Sequence, residues 1–203
     1  QIKTLFKKIN QRKIEINFNK QKILMTIRQP TKYFLKNIPS ILTSSKIILE
    51  HYNKNVNEKS FYGLQDLNIK YKILGRWQIH SMNPIIISDA CHNIDAFKNI
   101  LYELKSFNFK SIYFIIGGVK NKNWSNIIDI LPTNIQYIIS EPSNERSINS
   151  KILSKYFKEK NLNHLIINNV NNAINHCKKL VKEKNELIFI GGSFFLISDI
   201  NEK

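Results

Sequence analysis

The chain of 203 residues has only two cysteines, six glycines and four arginines, and it has no long apolar run. Cys91 and Cys177 are far apart and form no CxxC pair, which argues against a disulfide framework or a zinc site and favours a reducing cytoplasm. No stretch is apolar enough to span a bilayer, so a membrane partner is not expected. Since the sequence begins with Gln1 rather than Met and has no N-terminal signal, we expect a processed chain or a piece of a longer one.

A phosphate loop is also missing from the sequence. The pattern GxxxxGK[ST] requires Gly-Lys followed by Ser or Thr, and this tripeptide occurs nowhere in the chain. We therefore do not expect this chain to cradle and transfer phosphate without another protein segment.

The formal net charge of +16 raises the question of a nucleic-acid partner. Lys accounts for 27 of the 31 basic residues, whereas bidentate recognition of bases and phosphates favours Arg. Lys, Asn and Ile together form about 44% of the chain, as expected of an AT-rich genome, and the lysines look scattered. We interpret the charge as compositional and keep a basic, non-catalytic nucleic-acid-binding module as an alternative.

The first part of the chain reads as the end of a domain. Residues 13–18 and 22–28 are β-like and predict a hairpin. Apolar spacing from Asn37 to Tyr52 predicts a helix with Pro39 early in it, and residues 58–67 predict a second, short helix. This thin core predicts that residues 1–72 belong to an incomplete domain.

The second part alternates short β-branched runs with helical stretches, which predicts an α/β fold with a mostly parallel sheet covered by helices on both faces. We expect this domain to cover residues 73–203, with functional residues at the carboxyl ends of its strands. The predicted strands are Ile85–Ser88, Ile112–Ile116, Tyr137–Ile139, Leu165–Ile167 and Leu187–Ile190. The predicted helices are Asp95–Lys105, Trp124–Leu131, Asn149–Lys158 and Asn171–Lys182.

Polar residues and glycines follow several of these strands. Asp89 and His92 follow the first strand, either to contact a ligand or merely to satisfy loop backbone groups. Gly191, Gly192 and Ser193 follow the last strand, where glycine lets the backbone approach a ligand and a helix N-terminus favours an anion. Arg76 precedes the first strand and is either a bidentate donor for phosphate or carboxylate or one member of a surface ion pair.

An ordered set of segments resembles one enzyme family. Residues 33–42 (YFLKNIPSIL) resemble the end of the central domain of folylpolyglutamate synthases, and residues 74–78 (LGRWQ) resemble their Pro-Gly-Arg-aromatic-Gln linker. Residues 89–94 (DACHNI) resemble Asp-x-Ala-His-Asn-Pro. Residues 116–123 resemble Gly-x-x-x-Asp-Lys-Asp, with Asn121 and Asn123 in place of the acidic residues. Later matches are Pro142 to Arg146 and Gly192 to Phe194.

The resemblance to folylpolyglutamate synthase/dihydrofolate synthase implies a Rossmann-like C-terminal domain of the Mur ligase superfamily. In that family ATP phosphorylates a carboxylate and the amino group of L-glutamate attacks the acyl phosphate, with dihydropteroate or folate as acceptor. The resemblance implies ATP contacts for Asn37, Arg76 and Asp89, and glutamate contacts for His92 and Ser193. Arg76, Asp89 and His92 are the implied catalytic residues, and Mg²⁺ would be held mainly by an N-terminal ATPase half that this chain lacks.

The same resemblance implies that residues 1–72 are the end of the central ATPase-type domain and that the chain alone is inactive. A Mur-type ligase acting on cell-wall precursors is an alternative. The Gly-Arg-Trp-Gln and Asp-Ala-Cys-His-Asn sequences favour the folate branch over it.

Overall fold

The computed structural model describes residues 2–18, 21–28, 31–54, 58–65 and 74–201. The chain divides into two compact units, Gln1–Ile73 and Leu74–Lys203. No helix in the described part of the chain is long and apolar enough to cross a membrane.

The first unit is a three-stranded antiparallel sheet followed by a long helix. Its elements are β1 (Ile2–Lys8), β2 (Gln11–Phe18), β3 (Gln21–Ile27), α1 (Lys32–His51) and a 3-10 helix (Glu58–Leu64). The strands lie in the order β1-β2-β3. The antiparallel pairing of β2 with β3 confirms the predicted hairpin. β1 was not predicted. Two residues of the predicted turn (19 and 20) and the end of the predicted short helix (66 and 67) lie outside the described residues.

One face of this small sheet packs against α1. Alternate residues of β2 and β3 are buried, and they contact residues of α1 that recur every four positions. This cluster contains Ile14, Ile16, Ile23, Met25, Ile27, Phe34, Ile38 and Leu42. That residues 1–72 need further sequence to complete their domain stays a prediction.

Helix α1 begins earlier than predicted. Thr31 has extended backbone angles and is the N-cap, so the helix begins at Lys32 rather than at about Asn37. The early start allows Phe34 to join Ile38 and Leu42 in the core. The expectation that Pro39 lies near the helix start was therefore wrong: it lies inside α1, where its ring removes one helical hydrogen bond.

The second unit is a six-stranded, mostly parallel sheet, which confirms the predicted fold class. Its strands are β4 (Gln78–Met82), β5 (Ile85–Asp89), β6 (Ser111–Ile116), β7 (Gln136–Ile139), β8 (His164–Ile166) and β9 (Glu186–Gly191). They lie in the order β4-β5-β9-β6-β7-β8, and only β4 is antiparallel to its neighbour. The helices are α2 (Ile94–Lys105), α3 (Trp124–Ile128), α4 (Ser150–Glu159), α5 (Val170–Leu180) and α6 (Phe194–Ser198).

Helices cover both faces of this sheet. On one face Val170, Ala173 and Ile174 of α5 and Leu196 of α6 lie in one cluster with alternate strand residues. On the other face Phe97 of α2 stacks on Phe114 of β6, and Phe157 of α4 contacts Tyr137 of β7. Because both faces are buried, the strands are continuous apolar runs and ligand access is left to the loops at the strand ends.

Most elements differ from the predictions by one or two residues at their ends, and three differ more. β4 was not predicted, because its residues are only partly buried or exposed and show no clear apolar run. α3 ends at Ile128 rather than at Leu131, where the chain forms turns instead. β8 was expected to be buried, but Leu165 and Ile166 are largely exposed because this short strand pairs on one side only and lies at the sheet edge.

Candidate functional site

The carboxyl ends of β5 and β9 lie side by side. Asp89, the last residue of β5, is in register with Gly191, the last residue of β9, and Ser193 follows two residues later. β6 flanks β9 on its other side and is followed by Gly117 and Gly118. β9 lies between β5 and β6, although β5 and β6 follow each other in the chain. The loops after β5 and β6 therefore lie on either side of the end of β9. In open α/β sheets, ligands bind in a crevice at such a point.

A tight turn before β4 is fixed onto the end of β5. Gly75 and Trp77 both have left-handed backbone angles, with φ of 68° and 47°. The Ala90 N–H donates a hydrogen bond to the Gly75 carbonyl (2.8 Å), and the Trp77 N–H donates to Oδ2 of Asp89 (2.9 Å). The Gly75 N–H donates to Oε1 of Gln78 (3.1 Å).

The indole of Trp77 anchors the same turn. It is buried, with ring centroids 5.8 Å from Phe107 and 6.3 Å from Phe189. Arg76 lies between the fixed residues Gly75 and Trp77 and is exposed. The backbone on both sides of Arg76 is thus held by hydrogen bonds, while Arg76 itself is exposed.

Asp89 has a backbone partner that the sequence did not reveal. The residue is only 2% exposed, and one carboxylate oxygen accepts the Trp77 N–H. A buried carboxylate of this kind stabilises a backbone conformation that only glycine adopts readily. Asp89 therefore joins the linker turn to the sheet, whatever else its second oxygen contacts.

The glycine loops after β6 and β9 touch through their backbones. Gly192 has a φ of 107°, and a Cβ added there would lie 2.4 Å from the Gly117 carbonyl oxygen. The Gly117 N–H donates to the Gly191 carbonyl over 3.3 Å. Glycine is required at position 192 by both conformation and space.

Lys122 was not among the predicted site residues. It lies in the loop after β6, is only partly exposed, and its Nζ donates a hydrogen bond to the Gly192 carbonyl. Nζ also lies 5.7 Å from the centroid of the Trp124 ring. Burial lowers the pKa of Lys122 to about 8, although the neighbouring Cys91 opposes the shift. The only sequence signal was its position in the Asn-Lys-Asn segment after the glycine pair.

Cys91 lies beneath this site as a buried thiol. Burial, reinforced by the charge of Asp89, raises the pKa of Cys91 well above its ordinary value. The thiolate is the reactive form, so this cysteine is a packing residue and no nucleophile. Within the described ranges, no group of three His, Cys, Asp or Glu side chains could hold a metal ion.

The remaining predicted residues occupy different environments. His92 is exposed, and its Nδ1 lies 3.2 Å from the Ala90 carbonyl, to which it can donate. Ser193 is buried and is the N-cap of α6, where its Oγ accepts the Phe195 N–H (3.2 Å). Asn37 is exposed on α1, in the first unit. The loops at one edge of the second unit thus carry Arg76, Asp89, His92 and Ser193.

The chain is similar in sequence to curated folate enzymes. The chain is 29% identical over 133 residues to the dihydrofolate synthase/folylpolyglutamate synthase of Buchnera aphidicola from Schizaphis graminum, covering 64% of this chain and 31% of that protein. It is 32% identical over 127 residues to the enzyme from the Acyrthosiphon pisum strain, covering 62% and 30%. The chain therefore spans about a third of the length of these relatives.

Solved structures share the fold. The folylpolyglutamate synthase of Thermotoga maritima superposes with a TM-score of 0.76 at 20% identity, over 97% of this chain and 44% of that one. A bifunctional folylpolyglutamate synthase/dihydrofolate synthase solved with Mn, AMPPNP and L-glutamate bound gives a TM-score of 0.60 at 17% identity, over 75% of this chain and 36% of that one.

Residues 75–194 match the family model described as Mur ligase, glutamate ligase domain. This match covers more than half of the chain and includes every element of the edge just described, from the Gly75 turn to Ser193. The chain belongs to the Mur ligase family, of which its second unit is the glutamate ligase domain.

Proposed function

We propose that this chain is the C-terminal part of an ATP-dependent amide ligase that adds L-glutamate to dihydropteroate or folate through an acyl phosphate. The observation that carries the proposal is the linker turn. It fixes the backbone next to Arg76, at Trp77, to Asp89 at the carboxyl edge of a domain of this family. The folate enzymes among its relatives support this acceptor, and the bound L-glutamate and AMPPNP of the bifunctional synthase structure support these ligands.

Each predicted residue has a chemical part in this proposal. Arg76 would steady phosphate charge with its planar guanidinium as the two parts of the enzyme close on ATP. Asp89 and Asn37 would contribute further ATP contacts. His92 and Ser193 would lie near the incoming glutamate, and Lys122 offers a cation at the same edge.

The chemistry needs a second protein segment. Phosphoryl transfer relies on a loop of backbone N–H groups, a Lys on the phosphates and a hydroxyl on Mg²⁺. No such loop occurs in this sequence, so we assign Mg²⁺ and most of the triphosphate to an N-terminal ATPase half. Residues 1–72 would be the end of the central ATPase-type domain, most of which lies in that N-terminal half. The assembled enzyme would act in the reducing cytoplasm, in keeping with two buried free cysteines.

The proposal can be tested by supplying the ATPase half in trans. The chain is mixed with a separately produced N-terminal half of a Buchnera relative, ATP, Mg²⁺, dihydropteroate and radiolabelled L-glutamate. Glutamate addition should require both proteins and should be lost with Asp89→Ala or Arg76→Ala. Asp95→Ala is the matched control, because the Asp95 side chain is 85% exposed on α2.

Two outcomes would contradict the proposal. Turnover by the chain alone, free of contaminating ligase, would exclude a fragment that depends on a missing half. Incorporation into a UDP-linked peptide but not into dihydropteroate would assign the chain to the cell-wall ligases instead.

A further inference from the structure

The basic charge of the chain is concentrated in its first unit. Residues 1–73 contain 15 Lys and Arg against 4 Asp and Glu, a net charge of +11, whereas residues 74–203 contain 16 against 11, a net of +5. The shorter unit thus carries about two thirds of the excess positive charge. The lysines are therefore less evenly spread along the chain than the sequence analysis indicated.

Compositional drift does not account for this difference. AT-rich codons favour Asn as well as Lys, so drift alone should enrich both residues in the same segments. Lys is 13 of 73 residues in the first unit and 14 of 130 in the second, but Asn is 8 of 73 and 19 of 130. Lys is therefore enriched where Asn is not.

Four of the five lysines in the three strands, all except Lys7, lie on one face of the small sheet. One face packs on α1, and the strand register places the alternate residues together on the opposite face. Lys3 and Leu24 flank Glu15 in one cross-strand row, and Phe6 faces Lys13 in the next. This open sheet face is formed by Lys3, Phe6, Lys8, Lys13, Lys22 and Leu24.

This face remains accessible and almost free of negative charge. Phe6 and Leu24 are each 48% exposed, and Lys3, Lys8 and Lys13 are exposed. Its one carboxylate, Glu15, is already paired with Lys22 at 2.9 Å. Lys8 Nζ lies over the Phe6 ring, 5.4 Å from its centroid, so a cation and an aromatic ring occupy the same part of this face.

We propose that the open sheet face binds single-stranded nucleic acid. Lysines separated by roughly 5–15 Å across strands and along them can each meet a different phosphate, while the Phe6 ring offers a stacking surface to a base. The apolar residues are interleaved with lysines rather than joined in a stripe, which favours a polyanion backbone over insertion into lipid. With lysines rather than arginines on the face, binding should tolerate most base sequences.

The test measures binding of a fluorescent oligothymidylate to the full chain over a range of salt concentrations. The variant Lys3→Gln/Lys8→Gln/Lys13→Gln should bind at least about tenfold more weakly at low salt, and the slope of log affinity against log salt should fall by about 2. The control Lys178→Gln/Lys179→Gln/Lys182→Gln makes the same charge change at exposed positions of the second unit and should leave the slope nearly unchanged. Phe6→Ala should weaken binding without changing the slope.

Several results would overturn the inference. Any one of three results is enough: no binding at low salt, equal losses of affinity in the two triple variants, or no effect of Phe6→Ala on affinity. Tighter binding of polyglutamate would indicate an acidic protein partner, and tighter binding of phosphatidylserine vesicles would indicate a membrane surface. Thermal unfolding of each variant checks that weaker binding does not come from a destabilised small sheet. The assay is independent of glutamate ligation, so either proposal can fail alone.

Discussion

The backbone N–H of Trp77 donates a hydrogen bond to the buried carboxylate of Asp89, twelve positions further along the chain. Trp77 has a left-handed backbone conformation that is costly for a bulky residue, and this bond helps to offset that cost. The last residue of a central strand therefore determines the geometry of the linker that enters the domain, and with it the position of Arg76.

Replacing Asp89 should separate its role as an acceptor from its charge. Asp89→Leu leaves the Trp77 N–H without its partner and should lower the free energy of unfolding by about 1–3 kcal/mol. Asp89→Asn keeps an amide oxygen as acceptor and should cost less. Chemical denaturation checks both, with exposed Asp95→Asn as the control. Equal losses for Leu and Asn would show that the charge, and not the hydrogen bond, stabilises the turn.

The lowered pKa of Lys122 should make stability depend on pH. Between about pH 8, its pKa in the folded chain, and 10.5, its ordinary value, the unfolded chain binds more protons than the folded one. The free energy of unfolding should therefore gain a contribution from this group that rises with pH across that window. Comparing denaturation of the wild type and Lys122→Met at several pH values isolates this contribution.

Lys120→Met is the control for this comparison, because Lys120 is an exposed lysine of the same loop. It should keep the rise that Lys122→Met loses. Selective reaction of Lys122 with an amine-acylating reagent near pH 8, followed by mass spectrometry, gives a second readout. A rise of equal size in both variants would show that Lys122 does not titrate in this window.

Substitution of Gly192 should be among the most damaging single changes in the chain. Gly192→Ala places a Cβ 2.4 Å from a backbone oxygen at a φ of 107°, so we expect a loss of about 3 kcal/mol in unfolding free energy. Gly63→Ala is the matched control, because an added Cβ there meets nothing within 4 Å, and it should change stability by less than about 1 kcal/mol. A tolerated Gly192→Ala would mean that the two glycine loops separate easily.

The second unit should fold without the first. Residues 74–203 contain a sheet covered on both faces and one continuous buried cluster on the α5 side. Expressed alone, this segment should give well-dispersed amide signals in its NMR spectrum and a single cooperative unfolding transition. A spectrum of collapsed, unresolved signals would show that the domain needs preceding sequence.

The elements of the second unit were largely predictable because its strands are buried. Ile115, Phe189 and their neighbours form uninterrupted apolar runs, and a run of this kind between helical stretches has few other interpretations. β4 and β1 were missed for the opposite reason. Their residues are mostly half-buried or exposed, so no alternation of apolar and polar side chains marks them.

The candidate site was predictable only where residues follow strands directly. Asp89 and Ser193 could be placed because the ends of parallel strands meet at one edge. The partner of Asp89 could not, since a backbone N–H carries no sequence signature. Lys122 was missed because its burial depends on a contact with Gly192, seventy positions away, in a loop that reads as an ordinary polar segment.

The central place of β9 makes the second unit depend on the last of its own strands to be synthesised. β5 and β6 do not pair with each other; each pairs with β9, which begins only at Glu186. A chain interrupted before that residue would present two apolar parallel strands with unsatisfied inner edges, a surface that invites aggregation. Small lesions in the codons of β9 should therefore be as harmful as the loss of much longer segments elsewhere.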